Sequence, residues 1–419
     1  MNDAAPPIIV IGAGIIGVST ALHLQRDGAD VTLIDRADPG EGASWGNGGV
    51  LASCSIVPVP VPGLLRKAPG MLLDRDAPLF LRWSHLPRLA PWLRRYLAHG
   101  TREQAERTAR ALLPIIGDSL ADHQALASGT PAERWIRPCD YTFVYPDRAA
   151  FEADAFAWKI RRDNGFAWDE IEGPALRDYA PTLSAEAAGF AARLGGHGRI
   201  IDPGRYVKDR AAHFQASGGR MVKADVTGFE IPGNRVIGVR AGGETLPCSE
   251  AVLTTGAWSE KLARALGVDV SLESERGYHI ELWEPNLTFD AALMISSGKF
   301  VVTPMHGRIR LAGIVEFGGL EAPPSRGPFD LLRRAIARTM PGLTWKHQTE
   351  WMGHRPATID SLPLIGPAPR LAGAWLGFGH QHVGLTGGPK TGRTLAQMIA
   401  GRAPNIDLAP YAPRAAAGP

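Results

Sequence analysis

IIVIGAGIIGVSTALHLQRDGADVTLIDR, residues 8–36, is the stretch whose reading decides the fold. Ile8-Ile9-Val10-Ile11 is a short β-branched run, the pattern of a parallel strand buried on both faces. Gly12-Ala13-Gly14 forces a turn. Residues 15–27 then read as a helix, with Ile15, Val18, Leu22 and Leu24 on its apolar face. Gly28 ends it as a C′ glycine does. Residues 31–34 read as a second strand closed by Asp35, completing a βαβ opening. Within it, Gly12-x-Gly14-x-x-Gly17 is the dinucleotide signature. The first glycine permits the tight turn, the second lets a pyrophosphate approach the backbone, and the third lets helix pack on strand. The helix N-terminus at Ile15 and Ile16 offers N–H donors and partial positive charge to the phosphates. Asp35, followed by Arg36, lies 18 residues beyond Gly17. There it would accept hydrogen bonds from both ribose hydroxyls and repel a 2′-phosphate, which argues against NADP. The motif by itself leaves NAD and FAD both open.

Working outward, the chain has 419 residues, enough for two or three domains. It is 45% hydrophobic and 21% charged, which excludes disordered and fibrous classes. Lys and Arg number 45 against 42 Asp and Glu, a net +3. That balance gives no electrostatic case for a nucleic-acid partner. Cys54, Cys139 and Cys248 are odd in number and far apart, so neither a disulfide framework nor a zinc site is indicated. Residues 4–22 carry no charge, but no basic region precedes them and prolines and glycines interrupt them, against a signal peptide or membrane helix.

Residues 56–70 are Pro-rich and expected to lack regular structure. Residues 79–127 read as mostly helical with breaks at Pro87, Pro91 and Pro114, and residues 199–282 mainly as strands. Residues 331–339 read as a helix. Residues 371–400 read as strand (374–378), glycine-rich turn and helix to about Ile399. The Pro- and Ala-rich tail from 404 is expected to be loose.

Two further segments favour a flavin. Ser44-Trp45-Gly46-Asn47-Gly48-Gly49 follows the second strand with small groups whose backbone N–H could reach a ring system. Gly377 to Thr386 (GFGHQHVGLT) opens a second helix. A helix N-terminus there would stabilise negative charge on a reduced flavin.

With these motifs in order, the sequence resembles the D-amino acid oxidase superfamily of FAD enzymes, most of all bacterial D-amino acid dehydrogenases and relatives acting on glycine, proline and hydroxyproline. The resemblance covers roughly residues 7 to 402. Besides the opening and the GASWGNGG turn, it rests on residues 202–230, 251–267, 353–366 (GHRPATIDSLPLIG) and 377–392. It implies an α/β fold: a Rossmann-like FAD-binding domain (1–60, 190–265 and 350–403) interleaved with a mixed α+β substrate domain (61–189 and 266–349). It implies FAD contacts at Gly12, Gly14, Ile15, Ile16, Gly17, Asp35, Arg36, Ser44, Asn47, Gly48, Gly49, Val226, Gly256, Gly379, Val383, Gly384, Leu385 and Thr386. Val226 would touch the adenine. Arg355 occupies the position of a substrate-carboxylate arginine, the alternative being a structural ion pair. Tyr278 sits where a substrate-pocket tyrosine is expected, the alternative being a core tyrosine. His382 stands where some relatives place a second substrate-binding cation. No metal is expected, His380 and His382 lacking a third ligand in sequence.

The implied reaction is oxidation of a D-amino acid, with cyclic substrates such as D-proline or hydroxy-D-proline included, by hydride transfer from Cα to flavin N5. Sarcosine-oxidase-like relatives attach FAD through a cysteine near the arginine motif and dimethylglycine-dehydrogenase-like relatives use a histidine near the first flavin turn; here no cysteine follows Cys248 and no histidine stands at residues 45–47, so the resemblance implies noncovalent FAD. His-Gln-His at 380–382 departs from the His-Gly-Thr of many relatives and favours a specialised substrate. Glycine or N-alkyl amino acids, a hydroxy acid, and a non-catalytic flavin subunit are the competing readings. A quinone or dioxygen is the implied electron acceptor. A cytoplasmic or membrane-peripheral location follows from the resemblance, and assembly into a homo-oligomer is left open. Trp83, Leu86, Leu89, Trp92, Leu93 and Tyr96 alternate with Arg82, Arg88, Arg94 and Arg95. They read either as an interfacial membrane surface or as helices packed on the substrate domain with solvated arginines.

Overall fold

The computed structural model describes residues 5–64, 70, 74 and 76–416. The opening is as the sequence predicts: β1 (Ile8–Ile11), α1 (Ile15–Arg26) and β2 (Val31–Asp35). β1 lies inside a six-stranded sheet, in the order Leu364–Pro367, Ala374–Phe378, Glu250–Leu253, β1, β2 and Arg220–Lys223. All but the first of these strands run parallel. Burial on both faces explains the unbroken β-branched run: Ile9, Ile11, Ala251 and Leu253 pack on one side, Val10, Leu33 and Val252 on the other.

The second layer is a ten-stranded mixed sheet. Its main path includes β3 (Ile136–Tyr145), β4 (Leu272–Trp283), β5 (Arg308–Phe317) and β6 (His347–Thr358). From β6 the order is β4, β5, Phe300–Met305, Ala292–Ile295, β3, Phe190–Ile200 and Val50–Leu51. One face packs on the helix Arg326–Thr339 through Tyr278, Ile280, Leu282 and Phe329. The other face turns toward the nucleotide sheet.

Several expectations change. Phe190–Ile200 and β6 pair within the ten-stranded sheet, although boundaries at 190 and 350 would give them to the nucleotide half. A strand's pattern shows that it is buried, not which sheet it joins. The stretch 199–282 is interrupted by the helices Pro203–Ala216 and Ser259–Ala265. The first begins where the Asp202 carboxylate accepts from the Arg205 N–H at 3.0 Å and Pro203 fills the first turn. Pro91 and Pro114 do not break helices. Pro91 sits inside α2 (Leu86–Ala98) and Pro114 inside Arg102–Ile116. Burial of Leu89, Trp92 and Tyr96 against Phe317 and Ala357 holds α2 together across the lost hydrogen bond. This packing supports the second reading of residues 83–96. Trp83 alone of the large apolar groups there stands exposed.

Residues 56–63 form turns and coil as expected, Leu64 and Gly70 are helical, and 65–69 lie outside the described residues. As far as residue 416 the tail is anchored. Arg414–Ala415 pairs antiparallel with Val268–Asp269, and the Tyr411 hydroxyl, fully buried, donates to the Ala111 carbonyl. Its apolar and aromatic residues anchor it where composition alone suggested a solvated end.

Candidate active site

Between the two sheets runs one cavity of about 1220 Å³. That exceeds the roughly 300–1,000 Å³ of sites for drug-sized ligands, as a dinucleotide with a substrate beside it requires.

At the nucleotide end the walls are backbone. Gly12 has φ +106°, and a Cβ there would lie 2.7 Å from the Thr254 carbonyl oxygen. A Cβ on Gly17 would fall 1.8 Å from the Gly12 carbonyl oxygen, so this glycine serves helix–strand packing and does not line the cavity. Gly14 is different. A Cβ there would meet only the Ser44 hydroxyl, at 3.5 Å, which leaves an open side facing the cavity. The first N–H groups of α1 point there, and of them Ile15 donates to Ser44 Oγ at 3.0 Å. Asp35 accepts from the Ala13 N–H (2.6 Å) and the Ala37 N–H (2.9 Å), so it also fastens the glycine turn. Arg36 lies over the Trp258 ring at 4.5 Å, with Val226 and Gly256 beside it on the cavity wall.

Further along, the 44–49 turn is held by residues that sequence reading missed. Arg310, fully buried, donates to the carbonyls of Trp45 (2.9 Å) and Asn47 (2.5 Å). Glu281 holds both Arg310 and Arg308. Burial opposes charge on Glu281, but the two guanidiniums outweigh it and set its pKa down to about 2. His279 lies against the Gly46 carbonyl (Nδ1 to O, 3.1 Å) and stacks on Trp351. Trp351 covers Gly46 so closely that a Cβ there would overlap its ring. Asn47 turns its own side chain inward, its Oδ1 accepting from the Gly49 N–H at 2.8 Å. Gly49 (φ +76°) and Gly379 (φ +89°) shape their turns without lining the cavity. Gly48 does line it.

A second helix, α3 (Gly384–Ile399), starts at the same cavity. Val383 caps it without a side-chain hydrogen bond, so the first N–H groups stay available beside Gly384, Leu385 and Thr386. Two helix N-termini, of which α1 has one N–H taken by Ser44, thus converge on one space, a donor set for a pyrophosphate and for an electron-rich ring edge. FAD fits both, and an NAD site does not call for the second.

The substrate end lies on the sheet face carrying Glu275, Gly277, Gly353 and Arg355. Arg355 Nη1 donates to Glu275 at 2.9 Å, so the structural ion pair exists. The clamp reading survives it. Among the described residues Nε and Nη2 find no partner, and the guanidinium lines the cavity above Gly277, where a Cβ would lie 2.7 Å from Cζ. Gly277 is glycine to make that room.

Tyr278 borders the cavity, but its side chain is engaged elsewhere. Strand alternation turns it to the opposite face, among Phe329 and Ile280. Its hydroxyl donates to Glu316 at 2.5 Å and accepts from the Ser325 N–H at 3.0 Å. His382 does line the cavity, but burial, and then Arg355, depress its pKa, with Glu275 acting the other way. It is neutral at neutral pH and is no second cation. His380 is also held neutral by burial, its pKa down to about 3, with Nε2 2.9 Å from the Thr391 hydroxyl.

Two residues join this end unforeseen. Tyr96 (3% exposed) reaches in from α2, and Gln381 (5% exposed) from the turn before α3. The Tyr96 hydroxyl lies beside the Gln381 side chain, and neither it nor Gln381 Oε1 makes a hydrogen bond of good geometry among the described residues. Burial and the nearby Glu275 charge keep the Tyr96 phenol protonated. Gln381 has φ +45°, a left-handed conformation that favours glycine. Strain and unpaired polar atoms together mark a place built for a ligand. Leu79, Leu89, Leu93, Val315 and Phe317 close the chamber with apolar surface.

Comparison with known proteins agrees with this geometry. A family model described as FAD dependent oxidoreductase (DAO) matches residues 7–398. A D-amino-acid oxidase of Bradyrhizobium diazoefficiens is 38% identical over 97% of this chain and 98% of its own. D-amino acid dehydrogenase 2 of Ralstonia nicotianae is 33% identical over 97% of this chain and 99% of its own. Among solved structures, L-proline dehydrogenase from P. horikoshii superposes with a TM-score of 0.74 at 17% identity, over 97% of this chain and 96% of that one, which shows the fold. Among the described residues no helix is long and apolar enough to cross a membrane.

Proposed function

The chain belongs to the DAO family of FAD-dependent oxidoreductases, and from that premise we propose that it oxidises the Cα–N bond of a D-amino acid. The observation that carries the reading is Arg355. It is a guanidinium with two donors unengaged, facing the cavity where the flavin end and the apolar chamber meet. A fixed guanidinium binds a carboxylate as a two-pronged fork and stays charged. The names of the two relatives support the D-configuration.

In this reading Arg355 binds the substrate carboxylate and fixes the direction of the Cα–H bond. Glu275 orients Arg355 through Nη1 and leaves the other donors to the ligand. Tyr96 donates its O–H to the bound carboxylate, and Gln381 Oε1 accepts from the substrate amine. Leu89, Leu93, Val315 and Phe317 exclude water and receive the side chain. FAD, when bound, would supply the hydride-accepting chemistry for the Cα–H bond that Arg355 orients. The substrate leaves as an imine, which water converts to a 2-oxo acid and ammonia. Glycines 12 and 14, Ser44 and the α1 N-terminus would hold the pyrophosphate, Asp35 the ribose, and the 44–49 turn and α3 N-terminus the ring. Dioxygen or a quinone would take the electrons onward.

The test is anaerobic mixing of the holoenzyme with D-, L- and N-alkyl amino acids, D-proline included, while following flavin absorbance. Bleaching by D-amino acids is the expected result, and readmitted air then separates oxidase from dehydrogenase. Flavin that stays oxidised with every amine would overturn the proposal.

A further inference from the structure

The cavity has another end. From Arg355 its floor crosses the ten-stranded sheet to β3, where Tyr141, Phe143 and Tyr145 line it together with Arg161 from the helix Ala155–Asp163. Arg161 is only 7% exposed. Its guanidinium lies 4.6 Å from the ring centres of both Phe143 and Trp158. Its Nε is fully buried and unpaired. Among the described residues no carboxylate stands within ion-pair distance of it and no oxygen accepts from it. The Cys54 thiol is its polar neighbour, and burial pushes that thiol up to about 11, so it offers no negative charge. Asp154, on the same wall, is engaged by Tyr145 (3.2 Å) and Lys299 (3.5 Å).

The other buried guanidiniums behave differently. Arg276 has Glu316, Arg308 and Arg310 share Glu281, and Arg199 has Asp290. Arg210 donates to Tyr206 and Ser19 and does not border the cavity. Arg161 combines burial, full charge, no acid and a cavity-facing position. Burying an unpaired cation is costly, and cation–π contacts to two rings return only part of that cost. An anion in the cavity closes that gap.

We infer that Arg161 forms a second carboxylate-binding subsite, at the end of the cavity remote from Arg355. One guanidinium between two aromatic faces matches a planar, singly charged carboxylate, and a phosphate dianion would leave charge unmet. The carboxylate has two sources: the distal acid of a dicarboxylic substrate, which rests on the amino-acid reading above, or a separate small carboxylate, which does not. Arg355 sits over β4, four strand spacings from β3, roughly 19 Å along a flat sheet. A substrate that touches both arginines is therefore a long diacid.

Two arms separate the sources and keep a failure here distinct from a failure of the amino-acid reading. The first compares kcat/KM of the holoenzyme for D-2-amino diacids of increasing length with their neutral analogues. A preference for the longer diacids that falls at least tenfold in Arg161→Met assigns the subsite to the substrate. The second needs no turnover. In an Arg355→Met background, which removes the first clamp, glutarate or butyrate should raise the Tm of the FAD-loaded protein, and adding Arg161→Met should abolish the shift. Arg161→Gln repeats both arms if the methionine variant loads no FAD. No diacid preference together with no Arg161-dependent carboxylate shift would overturn the inference.

Discussion

The two ends of the central cavity are built by opposite means. The cofactor end is made of main chain: glycines that admit a ligand, two helix N-termini, and carbonyls pinned by Arg310 and His279. The substrate end is made of side chains drawn from five separated segments: Tyr96, Glu275, Phe317, Arg355 and Gln381. The first kind of site tolerates almost no added atom. The second tolerates changed atoms but changes its preference, because each side chain contributes one contact. A cofactor common to many reactions suits the first, and a substrate particular to one enzyme suits the second.

The sharpest way to break this contrast is Gly17→Val. Its Cβ would overlap the Gly12 carbonyl, so we expect loss of FAD binding and about 3 kcal/mol of stability, the upper end of ordinary overpacking. Flavin content of the purified variant and its denaturant midpoint report both. A variant that loads FAD normally would show that the main-chain end is softer than described.

Next in size is Arg355→Met. It removes the clamp and leaves the Glu275 charge buried alone, which costs about 3–5 kcal/mol. We expect kcat/KM to fall about a thousandfold and the Tm to drop. Adding Glu275→Gln should restore the Tm and leave turnover low. Recovery of both would mean that Arg355 serves the fold alone.

Acid should strike the cofactor end. Burial sets the pKa values of His279 and His380 down to about 3, against about 6.5 in the unfolded chain. Between those values the unfolded chain holds more protons. The stability they confer is therefore complete above about pH 6.5 and is lost as the pH falls toward 3, at up to about 1.4 kcal/mol per pH unit for each. A Tm profile from about pH 7.5 to about pH 5 should slope down on acidification, and His279→Phe should make it shallower without abolishing it, since His380, His23, His123 and His354 are also held neutral by burial. An unchanged slope in that variant would remove His279 from the account.

The smallest effects belong to the substrate end. Gln381→Gly removes left-handed strain of about 1–2 kcal/mol together with one ligand contact. It should raise the Tm by a few degrees and raise KM about tenfold. Tyr96→Phe should leave the Tm nearly unchanged, since the hydroxyl makes no hydrogen bond of good geometry among the described residues, while KM again rises. Unaltered KM in both would detach these residues from the ligand.

The same contrast governs what the sequence discloses. Main-chain sites are local, so the opening βαβ unit is read to within a residue, with α1 ending at Arg26 against an expected Asp27. The strand Ala374–Phe378 and the helix ending at Ile399 are read as closely. Side-chain sites are assembled across the fold. Nothing near Tyr96 announces Arg355, and nothing in the 380–382 tripeptide shows that its middle residue takes a glycine conformation. One error was avoidable. In residues 275–282, Glu275, Gly277, His279 and Glu281 alternate with Arg276, Tyr278, Ile280 and Leu282. That period of two already places the Tyr278 ring on the apolar face and points to Glu275 on the other.

The cavity of about 1220 Å³ between the sheets also makes the cofactor part of the interior. A ligand held there without a covalent bond stabilises the fold by mass action, by about 2.7 kcal/mol when free FAD stands at a hundred times its Kd. The protein's lifetime in a cell is then tied to flavin supply. When FAD is scarce, the enzyme loses activity and also presents a hollow, more easily opened chain to proteases, so that cofactor starvation lowers its abundance as well as its turnover.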